Sequence, residues 1–357
     1  MMSKRHIHKC TCCFIPPHAL EALARQGVAA AREGVLRSTH SRTHRQAQKR
    51  KITVEQMLVG SQLKAAAAAD GSGRRIVYDC ANNTEQRKGN PILKEPELMT
   101  CDDPIANKVF DFAGNVRDFF SNVLQRDSID NAGMELILNV HYGKDYMNAF
   151  WDGDEMTFGD GDGEIFTSFG HSLDVVAHEL AHGVTQFTAN LEYDGQSGAL
   201  NEHFSDVFGT AITQYVSKQN PTDSDWLIGD EIMGPKLFGE ALRSMKSPGE
   251  AYDNSLLGVD PQPSHMSKYY DGSKDNHGVH INSGIPNRAF YLVASTIGTI
   301  EATKIWYRGL QNLWPTAQFA DAVDVLVSAA KDLTRDNVVP AGSTQAVRSA
   351  FKDVGLG

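Results

Sequence analysis

Between residues 74 and 158 the apolar positions fall in short runs, and beyond residue 170 they recur at helical spacing over longer stretches. Arg75-Ile76-Val77-Tyr78-Asp79 reads as a strand and Met134 to Tyr142 as another. Asn148 to Trp151 and Met156 to Phe158 read as a strand pair, or a strand with a wide turn, about Asp152-Gly153-Asp154. One helix interrupts them, Phe110 to Arg126, with Phe112, Val116, Phe119, Phe120 and Val123 toward a core. Further helices are predicted over Leu173 to Phe187, Ala199 to Val216, Gly284 to Thr299, Glu301 to Asn312 and Gln318 to Leu333, with Pro315 separating the last two. Residues 222–275 are irregular and rich in Pro, Gly, Asp and Ser, a loop length usually reserved for function. Near the start, the prolines make Phe14 to Leu20 extended, and Glu21 to Arg37 reads as a helix. Lys64 to Gly73 is an Ala/Gly/Ser stretch with the look of a linker, a place where proteases cut. The pattern predicts an α+β chain in three parts. These are an arm over residues 1–50 (its end falling as late as about 70), a β-rich half over 74–188 that ends in the Leu173 helix, and a helical half over 189–357.

Composition adds little to this picture and charge adds more. The 357 residues are 41% hydrophobic and 22% charged, as in an ordinary globular protein, with room for two domains. No apolar run approaches the roughly 18 residues of a membrane span, and no apolar stretch follows the charges of Met1 to His6, so no Sec-type signal peptide is expected. The net charge of −10 is uneven: residues 1–51 carry 11 Lys/Arg against 2 Asp/Glu, and the remainder carries 23 against 42. A basic arm on an acidic body invites docking of one on the other, held by screened charge plus the Ile15-Pro16-Pro17 contact and so weakened by salt; the rival readings are a nucleic-acid or membrane arm and a solvated tail. Self-docking fits the acidic body, and no nucleic-acid partner is expected. Cys10, Cys12 and Cys13 crowd His6 and His8. They read as reduced thiols on a tail, as a zinc or copper site, or as the source of a thiolate that occupies an open metal position in a latent form. Cys80 and Cys101 are far enough apart in sequence for a disulfide.

The chemistry centres on Val175-Val176-Ala177-His178-Glu179-Leu180-Ala181-His182, of the form H-E-x-x-H. On a helix His178 and His182 lie on one face and can grip one metal ion, with Glu179 one step round beside the open position. Glu202 follows His178 by 24 residues, within Asn201-Glu202-His203-Phe204-Ser205-Asp206. Two His and one Glu make a zinc site that leaves a position for water, whose proton a neighbouring carboxylate can take. Asn201 and Asp206 flank the third ligand and can bond the far nitrogens of the two imidazoles.

These residues resemble the thermolysin-like neutral metallopeptidases, whose own zinc ligands are a His/His/Glu set. The likeness runs from about Arg74 to the C-terminus. It rests on Asn148-Ala149-Phe150-Trp151, Asp174 to Thr185, Ser197 to Glu202, Leu242-Arg243-Ser244-Met245 and Asp275 to Gly284. The arm, with Ile15-Pro16-Pro17-x-x-Leu20, resembles the short propeptides of the protealysin-like branch. The resemblance implies a two-domain fold with the zinc helix at the junction, and zinc on His178, His182 and Glu202. It implies Glu179 as general base, His280 and Tyr193 as stabilisers of the oxyanion, and Asp275 as the partner that orients His280. Asn148, Ala149 and Arg243 would hold the substrate backbone. Phe166, Phe169, Val175, Ile232 and Leu242 would line a pocket for an apolar residue after the scissile bond. Asp174, Asp225 and Asp230 match the family's double calcium site, but Thr213 and Leu227 stand where it wants carboxylates, so at most one calcium is expected. The expectation is a zinc endopeptidase acting on polypeptides. It is made as a precursor with its own inhibitory or folding-assisting propeptide, and is either secreted by a non-classical route, which the resemblance favours, or retained in the cytoplasm.

Overall fold

The computed structural model describes residues 12–35, 73–97 and 101–357. One six-stranded sheet organises the N-terminal half. Its strands are β1 (Cys12–Cys13), β2 (Arg75–Asp79), β3 (Leu93–Lys94), β4 (Leu136–Val140), β5 (Ala149–Trp151) and β6 (Met156–Phe158), in the order β1-β5-β6-β4-β2-β3. β4 runs parallel to β2 and β6, whereas β5 is antiparallel to both β6 and β1. The two residues of β1 belong to the arm. They pair with the edge of the sheet at Cys12↔Trp151 and Cys13↔Phe150, a strand that two cysteines without alternation do not announce in sequence.

The helix behind the sheet starts earlier than its apolar periodicity shows. α2 (Pro104–Leu124) opens with Asp103, whose side chain accepts from the Ile105 and Ala106 amides at 2.9 and 3.2 Å, followed by proline at the first turn. In the arm, α1 (Pro17–Arg25) likewise begins at a proline, so the extended segment is shorter than expected. The predicted helix from Glu21 to Arg37 is broken at Gly27 (φ 90°), and residues 29–35 are helical again.

α3 (Leu173–Gln186) is buried at every position. Its faces touch the sheet on one side and α4 (Gly195–Ser217) on the other, and glycines permit both approaches. A side chain at Gly183 would meet Ile129 and Trp151 at 2.5 and 3.0 Å, and one at Gly209 would meet the Asp174 carbonyl at 3.1 Å. The rest of the helical half is α5 (Lys274–Asn282), α6 (Gly284–Ile297), α7 (Thr299–Leu310), α8 (Phe319–Arg335) and α9 (Ser343–Asp353). Neither α5 nor α9 is foreseen from periodicity. The fold is the expected α+β arrangement, with the H-E-x-x-H helix between a β-rich and a helical half.

Two readings that the sequence left open are sharpened here. Cys80 and Cys101 form no disulfide: burial pushes the Cys80 thiol up to about 12, and the Cys101 thiol bonds the Asp103 carbonyl at 3.6 Å. The arm docks on the body, but among the described residues charge is a minor part of the contact. Phe14, Ile15, Ala19, Leu20 and Leu23 are buried, whereas an ion pair across the interface, Glu21 with Lys274 at 3.9 Å, is exposed. The basic residues from Arg37 to Lys51 lie outside the described residues, as do His6, His8 and Cys10.

Candidate active site

α3 and α4 bring His178, His182 and Glu202 together, with all their ligand atoms within 4.8 Å of one another. His178 Nδ1 lies 2.9 Å from Asp206 Oδ1, and His182 Nδ1 lies 2.8 Å from Asn201 Oδ1. Those acceptors hold the ring protons at Nδ1, so each imidazole turns an Nε2 lone pair inward. The two Nε2 atoms are 3.1 Å apart, each stands 3.5 Å from a Glu202 oxygen, and Glu202 Oε2 is buried without a partner. Two lone pairs and a carboxylate cannot satisfy one another; a cation satisfies all three, and this N₂O set suits zinc. Burial would raise the Glu202 carboxyl, but the facing His280, His182 and His178 hold it well below the ordinary range. Burial disfavours charge on His178, yet Asp206 and Glu202 outweigh it and move its pKa to about 9. A divalent cation at Nε2 takes the place of that proton.

Glu179, beside His178, is completely buried. Its Oε2 accepts the Trp151 amide at 2.8 Å and its Oε1 has no partner. Burial pushes this carboxyl up to about 8, with His178 acting in the opposite direction. On the other side of Glu202, the Tyr193 hydroxyl donates to Oε1 and lies 3.1 Å from His280 Nε2. His280 is fixed by Asp275, which takes its Nδ1 at 2.6 Å and its backbone amide at 2.9 Å. The chain reaches that geometry through four consecutive left-handed residues, Asp275 (φ 56°), Asn276 (48°), His277 (61°) and Gly278 (79°). Asp, Asn and Gly tolerate this conformation best, and such a run persists where the surroundings enforce it.

The arm fills the cleft as an extended strand. The Phe14 amide donates to the Ala149 carbonyl at 3.1 Å, and the Ile15 amide to Asn148 Oδ1 at 2.8 Å. Arg243 Nη1 donates to the Phe14 carbonyl at 3.3 Å, and the Cys13 carbonyl lies 3.0 Å from His280 Nε2. The Phe14 ring meets His178 edge-on at 5.1 Å, with the Arg243 guanidinium 5.0 Å from its centre. Leu242 and this ring both flank Gly229, where an added side chain would meet them at 3.0 and 3.1 Å. Phe166, Phe169, Val175 and Ile232 are buried in the same core cluster. Cys13 packs with Tyr142, Tyr146, Phe150 and Cys80, and neither Cys12 nor Cys13 joins the His178–His182–Glu202 group. The latent-thiolate idea therefore fails for these two cysteines, and Cys10 lies outside the described residues.

The three aspartates matched to calcium are neighbours but make no such triangle. Asp174 Oδ1 accepts from the Ser172 hydroxyl and the Val175 amide, and its Oδ2 from the Gly229 amide. Asp225 accepts the Leu227 amide at 3.0 Å. Burial first, then Asp174 and Asp225, push Asp230 from 3.8 up to about 6. A carboxyl with a raised folded-state pKa opposes folding once ionised. The effect is absent below its unfolded pKa and complete above the folded one. Asp230→Asn should therefore raise stability at pH 8 by about 1 kcal/mol, a figure reduced for partial solvent exposure, and the gain should shrink toward pH 5. Thermal melts with and without calcium check this, because an ion held by these carboxylates would reverse the sign.

His18, on α1, offers a second pH handle. Its Nε2 is 3.2 Å from the Tyr252 hydroxyl and its Nδ1 is buried without a partner. Burial lowers its pKa from 6.5 to about 4; facing groups are Asp275, which opposes the shift, and His280 and Arg243, which add to it. The docked arm thus favours neutral His18. Docking should be strongest above pH 6.5 and weaken as pH falls toward 4, by on the order of a hundredfold in all. Tryptic trimming of the arm at pH 5 and 7.5 measures this, and His18→Gln should flatten the difference.

Sequence reasoning missed three polar residues behind the metal ligands, His203, Asn287 and Trp306, which are fully buried. Their spacing in sequence carries no signal; packing of α4, α6 and α7 joins them. Among the described residues no helix is long and apolar enough to cross a membrane.

Known proteins resemble the chain over both of its halves. The family described as "Thermolysin metallopeptidase, catalytic domain" matches residues 41–186, and "Thermolysin metallopeptidase, alpha-helical domain" matches residues 189–356. The chain is 49% identical over 240 residues to an extracellular metalloprotease of Pectobacterium carotovorum subsp. carotovorum, covering 66% of this chain and 69% of that one. It is 36% identical over 358 residues to protease PrtS of Photorhabdus sp. (strain Az29), covering 96% and 91%. The solved precursor of protealysin, a metalloproteinase from Serratia proteamaculans, superposes with a TM-score of 0.83 at 38% identity, over 97% of this chain and 100% of that one.

Proposed function

The chain belongs to the thermolysin-like zinc metalloendopeptidases, in their protealysin-like branch, and from that membership we propose that His178, His182 and Glu202 hold the zinc ion while Glu179, His280, Tyr193 and Asp275 carry the hydrolysis. The observation behind this reading is the convergence of two imidazole lone pairs and an orphaned Glu202 oxygen next to an equally unpartnered Glu179 Oε1. Zinc, when bound, supplies an electrophile for the peptide carbonyl and acidifies water near neutral pH. Glu179 Oε1 takes the proton of the attacking water and passes it to the leaving amine, while the Trp151 amide keeps Oε2 in place. His280 Nε2 and the Tyr193 hydroxyl donate to the oxygen on which charge develops. Burial disfavours charge on His280, but Asp275 and Glu202 outweigh it and raise its pKa, which keeps that Nε2 proton available.

Asn148, Ala149 and Arg243 hold the substrate backbone in this reading, because they hold the arm that way. An extended peptide adds a strand to the β5 edge. Phe14 then marks the position just after the scissile bond, and the apolar wall at Val175 and Leu242 favours Leu, Phe or Ile there. The arm, residues 1–50 with an end as late as about 70, is a propeptide that blocks the cleft. The catalytic halves are 74–188 and 189–357. Calcium is held to one ion at most, at Asp174, Asp225 and Asp230. The extracellular relative supports secretion, which is checked by fractionating a producing culture.

The deciding experiment follows purified full-length chain by intact mass and by hydrolysis of an N-terminally blocked peptide. Loss of about 50 to 70 residues, followed by cleavage before Leu or Phe that chelation stops and zinc restores, is the expected result. Continued inactivity after tryptic trimming and zinc addition would overturn the reading.

A further inference from the structure

Behind His178 runs a chain of polar groups that the chemistry above does not use. Trp306 Nε1 donates to His203 Nε2 at 2.6 Å, and His203 Nδ1 is 2.7 Å from Asn287 Oδ1. Asn287 Nδ2 donates to Asp206 Oδ2 at 2.8 Å, and Asp206 Oδ1 takes His178 Nδ1 at 2.9 Å. His203 and Asp206 stand on α4, Asn287 on α6 and Trp306 on α7, and all are buried.

The far end of this chain fixes the direction of every bond in it. An indole N–H can only donate. His203 Nε2 must therefore accept, which leaves the single ring proton of the neutral imidazole on Nδ1, where it must donate. Asn287 then turns its carbonyl to His203 and its NH₂ to Asp206. The reversed amide would set an oxygen against a carboxylate and leave two buried groups unpaired, which is costly. Arg243 spans the other side of the same carboxylate, with Nε 3.0 Å from Oδ2 and Nη2 3.0 Å from Oδ1. Held by Asn287 and Arg243, Asp206 keeps one oxygen aimed at His178 Nδ1. Arg243 also donates to the Phe14 carbonyl, so one carboxylate braces both the metal ligand and the peptide-binding arginine.

We propose that His203, Asn287 and Trp306 are positioning residues of the metal centre: a relay of forced hydrogen bonds that sets Asp206, and through it the tautomer and aim of His178. The inference rests on the zinc reading of His178, His182 and Glu202. Its test uses the full chain as wild type, His203→Phe, His203→Gln and Trp306→Phe. Three quantities are measured: zinc per chain, the rate at which a chromogenic chelator strips the metal, and the melting temperature of the stripped protein. Phenylalanine keeps a ring but neither donates nor accepts, whereas glutamine offers one acceptor and one donor in the order that Trp306 and Asn287 require. His203→Phe should release zinc about 10- to 100-fold faster than wild type, His203→Gln should stay within roughly threefold, and Trp306→Phe should fall between them. The stripped forms of the two His203 variants should melt alike. An unchanged release rate in His203→Phe overturns the relay. So does equally fast release from His203→Gln, which would make the role one of packing. If His203→Phe does not fold, Trp306→Phe decides, and wild-type release from it overturns the proposal. A wild type that binds no zinc overturns the zinc reading itself, and the relay with it.

Discussion

Replacing Glu179 by Gln should lower kcat on a blocked peptide by about a thousandfold while leaving one zinc per chain and KM little changed. The side chain keeps its shape, and its carbonyl oxygen can still accept the Trp151 amide that Glu179 Oε2 accepts at 2.8 Å. What is lost is the unpartnered Oε1, the atom assigned to take the proton from water. An amide cannot accept that proton at neutral pH, and no metal ligand has changed. The precursor carrying Glu179→Gln should also keep its full mass where the wild type shortens, provided processing is its own work. Steady-state rates, metal analysis and intact mass on the same preparation separate the outcomes. A variant that keeps a tenth of the activity would place the base elsewhere, and one that loses zinc would make the defect a structural one.

The parts of this site that could be read from sequence are those in which one helix sets the geometry. His178 and His182 are one turn apart on α3, and Glu202 with its flanking Asn201 and Asp206 repeats the logic on α4. Their donor chemistry limits the reading to a metal, and the structure gives Asn201 and Asp206 to the two imidazoles as expected. Apolar pocket residues are less legible. Phe166 and Phe169 are as deeply buried as any core side chain, so type and pattern cannot separate a substrate wall from packing, and only the resemblance proposes the former. The least legible features are made by tertiary contact. Cys12 and Cys13 become a strand only because β5 offers an edge. The left-handed run at Asp275 to Gly278 leaves no periodic trace inside what reads as loop. His203, Asn287 and Trp306 meet only when three helices pack. Charge is legible in a different way. The uneven distribution pointed correctly to docking of the arm, but the described contact is made by apolar burial and backbone pairing, which a net charge cannot report.

That difference decides what should free the enzyme from its arm. Phe14 is fully buried, touches His178 edge-on at 5.1 Å and lies under the Arg243 guanidinium. Truncating a buried phenylalanine to alanine costs about 3–5 kcal/mol where the site cannot collapse. All of that falls on docking, because the body keeps its own core. Phe14→Ala should therefore weaken arm binding by about two to three and a half orders of magnitude at about 1.4 kcal/mol per tenfold. The unprocessed variant should cleave a blocked peptide at a rate the wild-type precursor reaches only after trimming. The backbone bonds from Phe14 and Ile15 to Ala149 and Asn148 remain, so the arm should still bind, but in fast exchange. Adding salt to the wild type should do far less if the described contact carries the hold, since its exposed Glu21–Lys274 pair at 3.9 Å contributes at most about 1 kcal/mol. Activity of unprocessed Phe14→Ala is best read in the presence of a trypsin inhibitor, with intact mass confirming that the arm is still attached. A Phe14→Ala precursor as silent as wild type would show that latency does not depend on the seated ring. The acid response of His18 and the residues from Arg37 to Lys51 would then be the next places to look for the hold on the arm.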